Sequence, residues 1–393
     1  MTLQTLSDAD VKAELIGRAH DLTELVAGEA AETDRRGSVS PTVIEAFTDA
    51  GFMKMLVPKR YGGYELDIDT MSKVVRTIAP SCTSTAWVLA FFIGHNWLHA
   101  LFPERSQDEV FAKRSFALSP GTFAPSFSLT PTKGGYIAKG RSSWNSGTQW
   151  AEYFLSGGLV MEDGKPPSLK FFLTPRSDVT VIDNWDIAGL RGTTSHDIAI
   201  DDVFVPDYHT VDAAQVMEGT TPGSALHSNP LYSMPVFPFI VGEILPVAVG
   251  TYASAAEEFK RVTKNRVMNT GARADSKQTT RIVVGKGDAG VALADSMLDG
   301  FIDFLDTADL ETLRDPLTRG RMKAQGGMIT DFCRAGVNEL VATAGANAYR
   351  FESPLQRNLR DINLMSTHAT LDMGRAAETY GEILLGLPPQ APV

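Results

Sequence analysis

The chain has 393 residues, 43% of them apolar and 21% charged, a composition that suits two or three packed domains and excludes an intrinsically disordered chain. Its 47 acidic and 36 basic residues leave a net charge of −11, which repels a phosphate backbone or an anionic bilayer and points to small-molecule partners, with no nucleic acid and no membrane. Two cysteines, Cys82 and Cys333, lie far apart in apolar surroundings; they offer neither a disulfide framework nor a metal-ligand spacing and are expected as buried, inert thiols.

The N-terminus carries acidic residues and no apolar run, so no secretory signal is expected and the protein is read as cytoplasmic. No stretch approaches roughly 20 uninterrupted apolar residues, and the most apolar window, 85–94, predicts a buried helix. Over 8–33, Val11, Leu15, Ala19, Leu22 and Val26 recur at helical spacing. Ser40 as N-cap and Pro41 at the first helical position open a second helix that Gly51 closes. Two more are predicted over 69–79 and 84–102. From about Phe116 to Pro206 short β-prone runs follow at 136–139, 153–160, 170–173, 179–182 and 197–200, the pattern of an antiparallel barrel or sandwich. Residues 207–235 are aperiodic and predict a connector or lid. Long periodic segments at 240–265, 279–308, 315–345 and 358–385 then predict an antiparallel bundle.

Four collinear stretches carry a family resemblance: Leu56-Val57-Pro58-Lys59-Arg60-Tyr61-Gly62-Gly63; Gly140-Arg141-Ser142-Ser143-Trp144-Asn145-Ser146-Gly147; Gly189-Leu190-Arg191-Gly192-Thr193-Thr194-Ser195 through Asp202-Val203-Phe204-Val205-Pro206; and Ala344-Gly345-Ala346-Asn347-Ala348-Tyr349 through Arg360-Asp361. Through them the chain resembles the acyl-CoA dehydrogenase superfamily over almost its whole length. The resemblance implies a flavin-binding, mainly α member of the α+β class: an N-terminal helical domain over 1–115, a central antiparallel β domain over 116–225 and a C-terminal four-helix bundle over 226–393.

One departure is informative. Many dehydrogenases of this superfamily carry, nine residues after the Arg of the Arg-Asp pair, the Glu that removes a substrate proton; here that position is Ala369, preceded by His368. Alanine cannot take a proton, and Glu243 and Glu257 are the substitutes considered. His368, with Gly94-His95-Asn96-Trp97 and Trp144-Asn145-Ser146-Gly147, is instead similar to the oxygenase components of two-component flavin monooxygenases, which hydroxylate 4-hydroxyphenylacetate and phenolic steroid intermediates. The resemblance implies reduced FAD or FMN, with FAD favoured, O2 as co-substrate, a C4a-hydroperoxyflavin, a separate NAD(P)H-flavin reductase and a homotetramer.

That chemistry assigns roles. A histidine can be cationic or neutral near physiological pH, so His368 is the expected proton source. Ser146 stands where the family places a hydroxyl at flavin N5, and Trp144 where an indole walls the isoalloxazine. His95 falls where related phenol hydroxylases hold the substrate hydroxyl. Gly121, Thr122 and Phe123 match the stretch that lines the pyrimidine edge, with Gly permitting close approach, and Arg261 and Arg266 are candidates for the flavin phosphate. His99, one turn after His95, suggests a metal pair, but no third ligand accompanies them and no metal is expected. The glycines of 284–290 follow no strand, so NAD(P)H is not expected to bind tightly. The expected function is hydroxylation of a phenolic or indolic small molecule. The alternatives are an acyl-CoA dehydrogenase, an N-oxygenase of an amine or amino sugar, and a silent scaffold.

Overall fold

A computed structural model of the chain describes residues 3, 6–161, 164, 166–268 and 271–392. The first helices are α1 (Asp8–Arg36), α2 (Pro41–Asp49), α3 (Ile68–Ile78), α4 (Thr83–His99) and α5 (Glu104–Phe111). Local chemistry sets their ends: the Ser7 hydroxyl accepts the Asp10 N–H, and Gly37, at φ 79, closes α1 by donating to the Thr33 carbonyl. Ser40 caps α2 ahead of Pro41, as the sequence predicts. The helix expected over 84–102 stops at His99, and α5 follows as a separate element.

All 17 residues of α4 are buried. A helix wrapped on every side is apolar on every side, which accounts for the 85–94 run. Its polar residues must therefore be satisfied from within the protein. Asn96 shows how: its amide donates to the Phe92 carbonyl at 2.7 Å, and its oxygen accepts the Ala117 N–H at 2.9 Å.

Seven strands form one sheet in the order β5-β6-β2-β1-β3-β4-β7: β1 (Gly121–Thr132), β2 (Gly135–Asn145), β3 (Tyr153–Val160), β4 (Ser168–Pro175), β5 (Thr180–Ile182), β6 (His196–Pro206) and β7 (Thr210–Asp212). Two corrections follow. The sheet is mixed: β1 and β3 run parallel, because the β1–β2 hairpin and the turn after β2 each reverse the chain, which returns β3 along the free side of β1. β1 itself escaped the strand reading because Pro125 and Pro131 interrupt it and only Phe127 and Leu129 of its 12 residues are buried. The segment 207–235 is also more ordered than a connector, holding β7 and a short helix, α6 (Ala213–Glu218).

The remaining helices are α7 (Val236–Asn265), α8 (Gln278–Thr307), the short α9 (Leu310–Arg314), α10 (Pro316–Ala344), α11 (Pro354–Met365) and α12 (Met373–Leu384). α10 packs on α7, α8, α11 and α12, and α7 also packs back on α3 and α4. Among the described residues α7 is the one helix long and apolar enough to cross a membrane, a correction to the expectation that no stretch comes close; 89% of its apolar window is buried inside the protein. The helix expected over 358–385 is two, separated by residues 366–372. His368 therefore sits in a break between helices and not on a helix face. Cys82 and Cys333 are free and buried as expected, and burial raises both thiol pKa values.

Replacing Asn96 with Ala leaves the buried Ala117 N–H without its partner, and the expected cost is about 1–3 kcal/mol. Thermal unfolding measured against wild type checks it, with no change expected in far-UV helix content.

Candidate active site

The site forms where α4, the β2 turn and the α11–α12 break converge. Trp87, Phe91 and His95 lie at i, i+4 and i+8 on α4, so their side chains form one ridge. Trp87 and Phe91 meet edge-on with ring centroids 5.1 Å apart, and Phe91 and His95 are also 5.1 Å apart. At the first end of the ridge Trp87 touches His368, 5.5 Å between centroids at 78°, and donates its indole N–H to Ser146 Oγ at 3.2 Å. Three sequence-predicted residues, His368, Ser146 and His95, are thus joined through Trp87 and Phe91. Trp87 was not singled out from the sequence, although the i, i+4, i+8 aromatic spacing ending on His95 was there to be read.

Ser146 is buried, and its hydroxyl lies 2.8 Å from the Ser195 hydroxyl, which lies 2.6 Å from that of Thr193. Trp144 is its opposite: 59% exposed, with an edge contact to Trp185 at 5.2 Å. Its backbone is left-handed, φ 69, where the pairing of β2 with β6 slips between Ser142 and Asn145. Leu190 (φ 47) and Thr194 (φ 45), on the facing loop, share that conformation. Half of the six left-handed non-glycine residues among the described residues thus lie on the segments around Ser146. Such strain persists only where neighbours enforce it, and it concentrates at working sites. Here the enforcers are Asp361, which accepts the Leu190 N–H at 2.6 Å, and the Gly147 N–H, donated to the Thr193 carbonyl at 2.7 Å. Gly147, at φ 89, has Phe92 where a Cβ would stand, so glycine is required on both counts.

The histidines differ in protonation. His95 Nδ1 faces the Ser119 carbonyl at 2.5 Å; a carbonyl only accepts, so Nδ1 carries the proton and Nε2 is the ring's acceptor. Burial pushes its pKa down to about 4. His99, bonded to the Ser119 hydroxyl at 2.7 Å, is pushed by burial and by the neighbouring His95 and His209 to about 3. His368 Nδ1 accepts the Thr370 N–H at 3.3 Å, which places its proton on Nε2, and burial lowers its pKa. The ring expected to be cationic or neutral is neutral at pH 7, a hydrogen-bond donor at Nε2. No metal-binding group of three or more His, Cys, Asp or Glu residues occurs among the described residues.

Gly121 abuts His95, whose Cε1 is 3.0 Å from where a Cβ would stand. Phe123 turns into the core against Phe171, 4.7 Å between centroids, and Thr122 is half-buried beside it with its hydroxyl accepting the Ala124 N–H at 3.4 Å. Arg261 and Arg266 belong to a different neighbourhood, the end of α7. Arg261 pairs with Glu258 at 2.5 Å, and Arg266 reaches the Ala344 carbonyl that ends α10. Neither glutamate is placed as a base. Glu243 is fully buried on α7 against Gly94, with Oε1 unpartnered, and burial raises its pKa well above the usual range, so it holds its proton. Glu257 is an exposed partner of Lys260 and lines a cleft of about 730 Å³ that contains none of Ser146, His95 and His368.

The donor set fits a reduced isoalloxazine: an exposed indole to stack on, a buried hydroxyl within an ordered chain of hydroxyls, and a neutral imidazole presenting an N–H. Residues 18–102 match the acyl-CoA dehydrogenase N-terminal domain and residues 244–373 the C-terminal domain. A pigment production hydroxylase of Rhodococcus sp. (strain ATCC 21145) is 39% identical over 97% of this chain and 99% of its own. The chain belongs to the acyl-CoA dehydrogenase family. The oxygenase subunit HsaA of a flavin-dependent monooxygenase from Rhodococcus jostii (strain RHA1) is 30% identical over 91% of this chain and 95% of its own. XiaF from Streptomyces sp., solved in complex with FADH2 and glycerol, superposes with a TM-score of 0.88 at 25% identity, covering 98% of both chains. Within the family the chain is an oxygenase component of a reduced-flavin-dependent monooxygenase.

Two predictions follow from these burials. His99 is neutral when folded, whereas the unfolded ring takes a proton below about 6.5, so stability falls as pH drops from 6.5 towards 3. At ~1.4 kcal/mol per pH unit, His99 alone accounts for about 2 kcal/mol between pH 6.5 and 5. His99→Phe is expected to shrink the loss of denaturant stability between pH 7 and 5 by about that amount. Glu243→Leu removes an unpartnered carboxyl from the core and is expected to raise stability by about 1–3 kcal/mol, read as a higher melting temperature.

Proposed function

We propose that this oxygenase hydroxylates an aromatic carbon of a phenolic or indolic small molecule, using FAD reduced by a separate NAD(P)H-dependent reductase. The observation that carries this reading is the ridge on α4. It links a flavin-type end, Ser146 with His368, to a substrate-type end, His95, whose Nε2 is an acceptor held in a dry, apolar helix.

When bound, reduced flavin supplies the two electrons that divide dioxygen between the substrate and water. The chain's own residues do the rest. His95 Nε2 accepts the hydrogen of a phenolic hydroxyl or an indole N–H, which raises electron density in the ring that receives oxygen. His368 holds a proton on Nε2 beside Trp87 and would supply it to the oxygen that leaves as water. Trp144 would provide a wall for the flavin ring, Ser146 would meet flavin N5, and the backbone at Gly121 and Thr122, next to His95, would line the flavin edge. Arg266, at the end of α7, would meet the phosphate of a flavin bound by a neighbouring copy, in a homotetramer built through the C-terminal helices. Loss of the proton-abstracting Glu at Ala369, with Glu243 buried and protonated, leaves the dehydrogenase alternative without a base.

The test is a single-turnover reaction with chemically reduced FAD, O2 and a panel of phenols and indoles, with no reductase present, scored for hydroxylated product against H2O2. Stoichiometric product from at least one member is expected. H2O2 alone from every member, with bleaching of bound oxidised flavin by an acyl-CoA, would overturn the reading. In the same assay His95→Ala is expected to oxidise flavin at the wild-type rate without substrate, yet lose product to H2O2 when substrate is present. One hydrogen bond to a polarised oxygen is worth about 1.5–3 kcal/mol, or roughly 10- to 150-fold in the transfer step.

A further inference from the structure

The hydroxyls behind Ser146 form a chain whose two ends favour one direction. At one end the Trp87 indole N–H, which can only donate, points at Ser146 Oγ at 3.2 Å. At the other end the Leu190 carbonyl, which can only accept, receives the Thr193 hydroxyl at 2.9 Å. Between them lie two contacts, Thr193 to Ser195 at 2.6 Å and Ser195 to Ser146 at 2.8 Å. Each hydroxyl has one proton. With the Thr193 proton on the Leu190 carbonyl, Thr193 accepts from Ser195, and Ser195 in turn accepts from Ser146. The Ser146 proton is therefore spent inward, one of its lone pairs takes the Trp87 N–H, and one lone pair is left to face outward.

We propose that Thr193 and Ser195 are positioning residues that make Ser146 a hydrogen-bond acceptor towards flavin N5, and so select reduced flavin, whose N5 bears a proton, over oxidised flavin, whose N5 bears a lone pair. This rests on the reading that Ser146 meets N5. To serve an oxidised flavin, Ser146 would have to donate, and the chain would reverse: Thr193 would give its proton to Ser195 and leave the Leu190 carbonyl. Reversal forfeits one neutral hydrogen bond, worth about fivefold in binding. That carbonyl keeps two other donors, the Thr193 N–H at 3.1 Å and the Trp185 indole N–H at 3.0 Å, so reversal is costly but not forbidden. The scaffold under the chain is rigid. Leu190 is anchored on Asp361, and Gly189 sits so close to the Arg360 carbonyl, 2.3 Å from where a Cβ would stand, that no side chain fits. For an enzyme fed by diffusing reduced flavin, this preference loads the form that can react with O2 and releases the spent form.

The test compares dissociation constants of oxidised FAD, by fluorescence, and of reduced FAD, by anaerobic titration, in the full-length protein. Thr193→Val keeps the shape but removes the hydroxyl, freeing Ser195 to donate to Ser146 and Ser146 to donate outward. The ratio Kd(oxidised)/Kd(reduced) is expected to fall about fivefold, which lowers the potential of the bound flavin by about 20 mV. Ser195→Ala, which strands the Ser146 proton, should move the ratio the same way, and Thr193→Ser should restore the wild-type ratio. A purely structural role predicts equal weakening of both flavin forms and a lowered melting temperature in Thr193→Val, with the ratio unchanged; that result overturns the proposal. Ser146→Ala separates the two layers. If it shifts the ratio while Thr193→Val and Ser195→Ala do not, the directed chain is wrong and the Ser146 contact stands. If it leaves the ratio at the wild-type value, the contact of Ser146 with N5 falls, and the proposal with it.

Discussion

Helix α4 has no solvent face, and the desolvation this imposes on its polar side chains shapes the rest of the site. The donors and acceptors it carries can find partners only inside the protein, so the segments around it are held to it by specific contacts: residues 117–119 by Asn96, His95 and His99, and Ser146 by Trp87. The same burial keeps His95 and His99 neutral. One physical constraint thereby fixes three things at once: where the β domain docks, which ring nitrogen of His95 is an acceptor, and the dryness of the space beside it. A half-exposed helix could have carried the same residues without defining any of them.

The family's dehydrogenases and its oxygenases need opposite things from the same fold. Removal of a substrate proton needs a carboxylate that is ionised and within reach. Oxygen insertion needs protons to be held in place and water kept out. The groups beside α4 suit the second set of demands better than the first. The segment between α11 and α12 carries His368 with a proton on Nε2 and Ala369 beside it, and the buried carboxyl nearest α4, Glu243, is protonated. Removing α-helical geometry from residues 366–372 also lets the imidazole turn towards Trp87 without displacing either flanking helix.

Much of the architecture was legible because it repeats. The periodic α1 and the short apolar run of β3, buried at five consecutive residues, emerge from the sequence within a few residues of where they lie, as apolar content and spacing are local properties. Features that depend on contacts between distant segments were not. β1 is a strand because β2 and β3 flank it, despite two prolines, and the break before α12 carries no Gly or Pro; its one local sign is Asp372, whose side chain accepts the Arg375 N–H to start the new helix. Motif position singled out Ser146, His95 and His368, which the fold brings together through Trp87 and Phe91. It could not show that Thr193 and Ser195, about fifty residues further along, complete the hydroxyl chain, nor that Arg261 and Arg266 lie apart from it. The protonation states were also out of reach, since they follow from burial and from which backbone group each ring meets.

The apolar length of α7 bears on how the protein is made. As it leaves the ribosome, this helix has the composition of a segment a bilayer would accept, and its later shielding partners α8 and α10 have yet to be synthesised. Its other partners, α3 and α4, precede it by more than a hundred residues. They are available as a docking surface the moment α7 emerges, so the order of elements along the chain gives the most hazardous segment an apolar berth within its own polypeptide before any competing surface is offered.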